Sequence, residues 1–383
     1  MKFKQRLLLP IIAALLFCGS PFRIAMAADQ PLTPSSVDEK DKTHWFDITD
    51  LGVEGKGWTD TEAFYHRLPA KAKGVVRPPV WSLSKHSAGI AVRFVTDATT
   101  IKAKWKLTSP SLAMNHMAAT GVSGLDLYVK TESGTWRWLA VGKPSKQENS
   151  VTLISDLIPG TREYFLYLPL YNGVTSVEIG VPESSQLWKA PTRETGKDKP
   201  LVFWGTSITQ GGCASRTGMV HTAILGRRLN RPVINLGFSG NGRMEPEVAK
   251  LIAELDASVF IMDCLPNVTA SVVAKETEPL VKTLRAAHPE TPILLVEDRT
   301  YSNAYLKKSS QERHRTSRLA LREAYDRLKK EGVKNLYYLE GDGLLGDDTE
   351  GTVDSSHPTD LGFFRQADAF EKVLKPILEQ QSK

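Results

Sequence analysis

This chain of 383 residues is short of cysteine, of long apolar runs and of charge of one sign. It has three cysteines, Cys18, Cys213 and Cys264. That is too few for a disulfide-knit scaffold of the kind small secreted domains use in place of a large core. Only "LLLPIIAALLF", positions 7–17, is apolar enough to suggest a membrane. Lys2, Lys4 and Arg6 precede it, and the small residues of "AMA" end at Ala27. This is the pattern of a cleavable signal, too short and wrongly flanked for a stable span. The bulky Phe17 argues against lipid attachment at Cys18. Residues 1–27 therefore read as a signal peptide, with the mature protein secreted or periplasmic and not inserted in the membrane.

The formal charge is +6, but the signal holds four basic residues and no acid, so the mature chain carries only +2. The remaining charges are mixed, with no basic stripe interleaved with aromatics, which excludes nucleic acid as a partner. No set of His or Cys stands at ligand spacing, so neither a metal nor another cofactor is expected. His221 and His288 fall in helix-compatible segments and read as surface or packing residues.

What is present is ample apolar material, 41% of the chain, arranged in two unlike halves. From Trp45 to Val181 the pattern has period two. "IKAKWKL" puts Ile101, Ala103, Trp105 and Leu107 on one face and three lysines on the other. "GLDLYVK", "TWRWLAV" and "REYFLYLPLYNG" behave alike, which predicts antiparallel strands with one wet face and hence a β-sandwich over 44–183. It reads as a packing or carbohydrate-contacting module. The polar stretch 184–199 reads as a linker.

From residue 200 to 383 the period changes. Continuous apolar runs at "LVFWG", "PVINLG", "SVFIMD", "PILLVE" and "NLYYLE" alternate with helix-compatible segments. Runs without alternation are strands covered on both faces, so this half is an α/β domain with a parallel sheet between helix layers. Ligands of such sheets bind beyond the carboxyl ends of the strands, and Ser207 follows the first strand.

"GTSITQGG", from Gly205 to Gly212, lacks the lysine of a phosphate loop. It also lacks the second glycine of a nucleophile elbow. By itself it is equally well an ordinary turn. "DSSHP" near the other end supplies Asp354 and His357 three residues apart, before the last helix. A carboxylate there can hold one imidazole nitrogen and leave the other free as the base that a serine hydroxyl needs.

Together these blocks resemble the SGNH (GDSL-like) hydrolases, in the order "GTSIT", "NLGFSGNG", "DCLPN" and "DSSHP". The resemblance runs from about Lys199 to the end. "GLDLY", Gly124 to Tyr128, is similar to the amino-terminal GxDLY module of a secreted two-domain branch of these esterases. The resemblance implies a three-layer α/β/α fold with a flavodoxin-like sheet and ester hydrolysis through an acyl-enzyme. It makes Ser207 the nucleophile, His357 the base and Asp354 its orienting acid. It also assigns the oxyanion donors to the N–H of Ser207, the N–H of Gly240 and the side-chain amide of Asn267. The first block departs from GDSL, and Leu265-Pro266-Asn267-Val268 departs from Gly-x-Asn-Asp.

Secretion and the added module favour a short, acetyl-type ester on a saccharide as substrate. The alternatives are a lipase or thioesterase acting on other acyl esters, and a catalytically silent carbohydrate-binding protein. Two further expectations concern neighbouring residues. Glu297 and Arg299, after the fourth strand, read as a structural ion pair. Cys213 and Cys264 follow the first and third strands, which adjoin in the 2-1-3-4-5 order of this fold, and are expected to form a bridge in an oxidising compartment.

Overall fold

A computed structural model describes residues 30–381; the expected signal peptide, with Cys18, lies outside the described residues. The first half folds as two facing antiparallel sheets. One runs Ser36–Asp38, Thr43–Asp47, Val174–Pro182, Ile101–Leu107, Glu148–Ile154. The other runs Leu187–Lys189, Ala91–Thr96, Arg162–Tyr167, Leu125–Lys130, Trp136–Gly142, with the short Val53–Glu54 paired to Ala91–Thr96. The alternation in "IKAKWKL" appears as predicted, with its apolar residues buried and Lys106 exposed. Phe94, Trp105, Tyr164 and Ile179 belong to the core between the sheets.

The second half is a five-stranded parallel sheet, labelled here β1 (Leu201–Gly205), β2 (Val233–Gly237), β3 (Val259–Asp263), β4 (Ile293–Val296) and β5 (Leu336–Leu339). Their spatial order is β2-β1-β3-β4-β5, which is the expected 2-1-3-4-5. The connecting helices are α1 (Ser207–Gln210), α2 (His221–Leu229), α3 (Pro246–Ile252), α4 (Ala270–Ala287), α5 (Lys308–Lys330) and α6 (Asp360–Gln381). Each strand is buried on both sides because successive side chains enter different cores. Val202 and Trp204 join a cluster with residues of α3, α4 and α5. Leu201 and Phe203 join one with residues of α2 and α6. This is the three-layer arrangement preceded by a β-sandwich that the sequence predicts.

The two halves share these cores. Between the sandwich strands, Trp58, Leu68, Val76 and Val80 leave the module and enter the cluster of α3, α4 and α5. On the other face, Met117, Tyr128, Phe165 and Leu170 enter the cluster of α2 and α6. The contact is close: Gly89 has φ +82, and a Cβ there would lie 2.4 Å from the Cβ of Asn235 on β2. Only glycine fits that conformation and that spacing. Among the described residues no helix is long and apolar enough to cross a membrane.

Candidate active site

Ser207 opens α1 directly after β1, with Thr206 as N-cap accepting from the N–H of Ile208 at 3.3 Å. The helix ends after one turn at Gly211, whose φ of +115 suits glycine. Placed in the first turn, the Ser207 N–H has no intrahelical acceptor. His357 and Asp354 lie in the loop before α6. The Ser207 Oγ is 2.7 Å from His357 Nε2, and His357 Nδ1 is 2.7 Å from Asp354 Oδ2. Asp354 Oδ1 accepts from the N–H groups of His357 (2.8 Å) and Ser356 (3.1 Å), so the carboxylate is locked in one orientation. Partial burial acts to raise the Asp354 pKa. The His357 N–H, the His357 ring and the Ser356 N–H outweigh it and hold the carboxyl below its ordinary value. The side chains of His357 and Asp354 are 24% and 41% exposed, so substrate and water reach them.

Gly240 lies in the loop after β2 with φ +68, exposed and with open space around it. Its neighbours Gly237 and Gly242 differ: a Cβ on the first would strike Gln210 N at 2.1 Å, and on the second Gly205 O at 2.0 Å. They are glycines for packing, whereas Gly240 presents its backbone to solvent. Asn267 ends the 3-10 turn Leu265–Asn267 after β3. Its Nδ2 is 3.5 Å from Phe238 O, a long contact that brings it against the Gly240 loop without using up its donors. Thus the loops after β1, β2 and β3 and the loop before α6 meet at one edge.

The structure adds residues that the sequence did not single out. Tyr171 of the module donates to Ser207 O at 3.1 Å. Gln210 Nε2 donates to Leu170 O and to His86 Nδ1, both at 3.0 Å, while its Oε1 accepts from Ser239 N–H beside Gly240. Burial, with nearby Arg67, pushes His86 down to about 4, so the ring is neutral and able to accept. Arg67 itself is 1% exposed and has no carboxylate partner among the described residues; it donates to the carbonyls of Leu83, His86, Asn235 and Gly237. Arg77 donates to the side chain and carbonyl of Asn241 at 2.8 and 3.0 Å. His116, on an exposed module loop, stands edge-on to His357 at 6.0 Å between ring centroids. No sequence signal marked these partners, because each contact joins residues far apart in the chain. Gln210, inside the "GTSITQ" block, alone stood close to a motif.

Two local expectations need correction. Cys213 and Cys264 form no bridge; both are buried free thiols. Cys264 turns into the α3–α4–α5 core with Sγ 3.6 Å from Trp204 O, whereas Cys213 sits at φ +73 within the influence of Asp354. Burial, aided by that charge, raises the Cys213 thiol to about 11. Likewise Arg299 does not pair with Glu297. It forms a buried two-pronged bridge to Asp263, at 2.8 and 2.6 Å, and Asp263 also accepts from Thr209 Oγ1 at 2.9 Å on α1. Glu297 instead accepts from Tyr338 OH and Gly341 N–H. His221 and His288 are packing residues: His221 lies among Phe203, Phe363 and Phe370, and His288 against Phe260.

Residues 198–375 match the model of the GDSL-like Lipase/Acylhydrolase family, and residues 43–187 match the N-terminus of Esterase_SGNH_hydro-type, the GxDLY module. A Bacteroides ovatus protein assigned to the GDSL-like lipases is 36% identical, with a TM-score of 0.83 over 88% of this chain and 98% of its own. The chain belongs to the GDSL-like lipase/acylhydrolase family. Among more distant solved structures, the salicylyl-acyltransferase SsfX3 of a tetracycline biosynthetic pathway is 18% identical, with a TM-score of 0.68 over 88% of this chain and 98% of its own. An acetyl xylan esterase from Butyrivibrio proteoclasticus is 12% identical, with a TM-score of 0.58 over 90% and 99%. These two show the fold alone. No curated protein matches the chain.

The GxDLY motif of this acylhydrolase faces the catalytic half. Asp126 is fully buried and accepts from Trp138 Nε1 (2.8 Å), Gly218 N–H (2.8 Å) and Arg216 Nη1 (2.7 Å). Tyr128 OH is 2.6 Å from the same guanidinium nitrogen. The motif thus grips the loop that follows α1.

Proposed function

We propose that this GDSL-like acylhydrolase is a secreted or periplasmic serine esterase that removes short acyl groups, acetyl foremost, from carbohydrates. The observation that carries the reading is the unbroken line Ser207 Oγ, His357 Nε2 and Nδ1, Asp354 Oδ2, with 2.7 Å at both links. Ser207 Oγ attacks the ester carbonyl carbon while its proton passes to His357 Nε2. The tetrahedral oxyanion takes hydrogen bonds from the Ser207 and Gly240 N–H groups and the Asn267 amide. Collapse breaks the bond to the alcohol, which takes the proton from His357. Water then repeats the sequence on the acyl-enzyme, releasing the acid and restoring Ser207. Asp354 keeps His357 Nδ1–H engaged and steadies the imidazolium between steps.

The saccharide part rests on the resemblance of the fold to a structure named as an acetyl xylan esterase. It is consistent with the absence of a long apolar insertion near the blocks, which a long acyl chain requires. The test compares acetate release from acetylated xylo-oligosaccharides with hydrolysis of 4-nitrophenyl palmitate, using Ser207→Ala as control. Faster turnover of the acetylated sugar is expected. Preference for the long chain overturns the substrate class, and an active Ser207→Ala protein overturns the mechanism.

A further inference from the structure

A cleft of about 620 Å³ opens where the module meets the catalytic half. Trp136 and Trp138, on the module strand Trp136–Gly142, form one wall, and Phe364 of α6 stands on the other. Trp138 and Phe364 are each 48% exposed. The Trp138 ring is fixed, since its Nε1 is tied to Asp126 and the Arg216 guanidinium lies 5.1 Å from its centroid. A large aromatic held rigid at the surface offers contact area with little ordering cost on binding.

Charge accompanies the rings. Arg216 is neutralised by Asp126, and Arg228 by Asp368 and Glu371. Arg137 and Arg227, which also line the cleft, have no carboxylate partner among the described residues. Arg227 donates to Gly218 O and lies over the Tyr128 ring at 3.9 Å, with its Nη1 buried behind the cleft wall. Two uncompensated guanidiniums favour an anion, and the planar fork of the exposed Arg137 suits a carboxylate.

From this juxtaposition of fixed tryptophan and unpaired arginine we propose that the cleft binds an acidic saccharide, its ring stacked on Trp138 and its carboxylate held by Arg137, with the Arg227 charge behind it. A self-interface is disfavoured, because a two-fold contact here would set arginine against arginine. Nucleic acid is disfavoured by a mature charge near +2 and the lack of a basic track. The cleft floor is continuous with the active site in sequence: Arg216 lies nine residues after Ser207, on the loop that the GxDLY motif grips. The saccharide class rests on the proposed esterase function, but binding is measured apart from it.

The experiment is calorimetric titration of the full chain with an unacetylated oligogalacturonate hexamer and with a neutral xylohexaose. The acidic chain is expected to bind at least about tenfold more tightly, with affinity falling as salt rises. Trp138→Ala should weaken both sugars. Arg137→Glu, an exposed change without a folding role, should weaken only the acidic one. Circular dichroism confirms that each variant is folded. Equal binding of the two sugars, no binding of either, or indifference to both variants overturns the proposal. So does preferential binding of a single-stranded oligonucleotide, or a dimer dispersed by Arg137→Glu. Hydrolysis of 4-nitrophenyl acetate by the same preparation tests the esterase reading separately, so failure of one is told from failure of the other.

Discussion

Asp354, His357 and Ser207 form one chain of hydrogen bonds in this protein; Asp126, Arg216 and Tyr128 form another. Both run from a carboxylate through a nitrogen base to a hydroxyl, with links of 2.6–2.7 Å. They differ in two respects. Asp354 and His357 stay in reach of solvent, whereas Asp126 is fully buried. And an imidazole can take up and release a proton, while a guanidinium keeps its charge throughout. The first arrangement can therefore move a proton to and from Oγ. The second can only hold, and it holds the loop after Ser207 and α1 against the module. Residue types alone do not make a catalytic set; exposure and a transferable proton do.

Breaking the first chain has the largest expected effect. Ser207→Ala or His357→Ala should each lower kcat on 4-nitrophenyl acetate by about a millionfold, the loss seen when a member of such a unit is removed. Melting temperature should stay near that of the wild type, since both side chains are half-buried. Asp354→Asn should cost less, about ten thousandfold, because it misplaces the imidazole proton without removing the base. Next comes Asn267→Ala, which should lower kcat about a hundredfold to a thousandfold with KM unchanged, since the amide meets charge only in the transition state. A raised KM with normal kcat would make Asn267 a substrate ligand.

Much of the reactive side was legible in the sequence, because it lies in loops that directly follow strands. The uninterrupted apolar runs gave the parallel sheet, and the sheet put Ser207 at its carboxyl edge; Gly240 and Asn267 were singled out by the resemblance to the SGNH hydrolases. The holding side was not legible. The segment around Trp58, Leu68, Val76 and Val80 is apolar without a period, so nothing announced that it enters the other half's core. Arg67 and Arg77 find backbone and side-chain acceptors more than 160 residues away. Arg299 pairs with Asp263 because β3 and β4 adjoin, a proximity that only the register reveals. Cys213 and Cys264 follow adjoining strands, yet their side chains turn into different surroundings.

Breaking the second chain should act on stability more than on chemistry. Asp126→Ala leaves Arg216 without its carboxylate and removes the acceptor for Trp138 and Gly218. A fully buried broken pair costs about 3–5 kcal/mol. Arg216 is 22% exposed and can turn to water, so about 2–3 kcal/mol is expected in urea unfolding. Burial outweighs Arg216 and holds the Asp126 carboxyl above its ordinary value. Folded Asp126 thus binds its proton more tightly than unfolded Asp126. Its contribution to stability declines as pH rises from the ordinary carboxylate value through the raised one. Asp126→Asn should lack that decline, and identical pH profiles for the two proteins would refute the assignment.

The smallest expected effect joins the holding kind of contact to the reactive kind. Arg313 on α5 donates through Nη2 to the carbonyls of Leu265 (3.1 Å), Pro266 (2.8 Å) and Val268 (3.4 Å), the residues on either side of Asn267. Its Nε faces the buried carboxylate of Asp298 at 3.4 Å. The guanidinium touches no reacting atom, so it is a positioning residue: it fixes the turn from which the Asn267 amide projects. Arg313→Met should let that turn relax and lower kcat about tenfold, with KM held, because a misplaced donor is felt in the transition state. Arg313→Lys should recover little of this, since a single ammonium cannot reproduce the planar fork. The double variant Arg313→Met/Asn267→Ala separates positioning from general support of the fold. If Arg313 acts through Asn267, its removal costs nothing further once the amide is gone. If the two losses multiply, Arg313 supports the site by another route and the assignment fails.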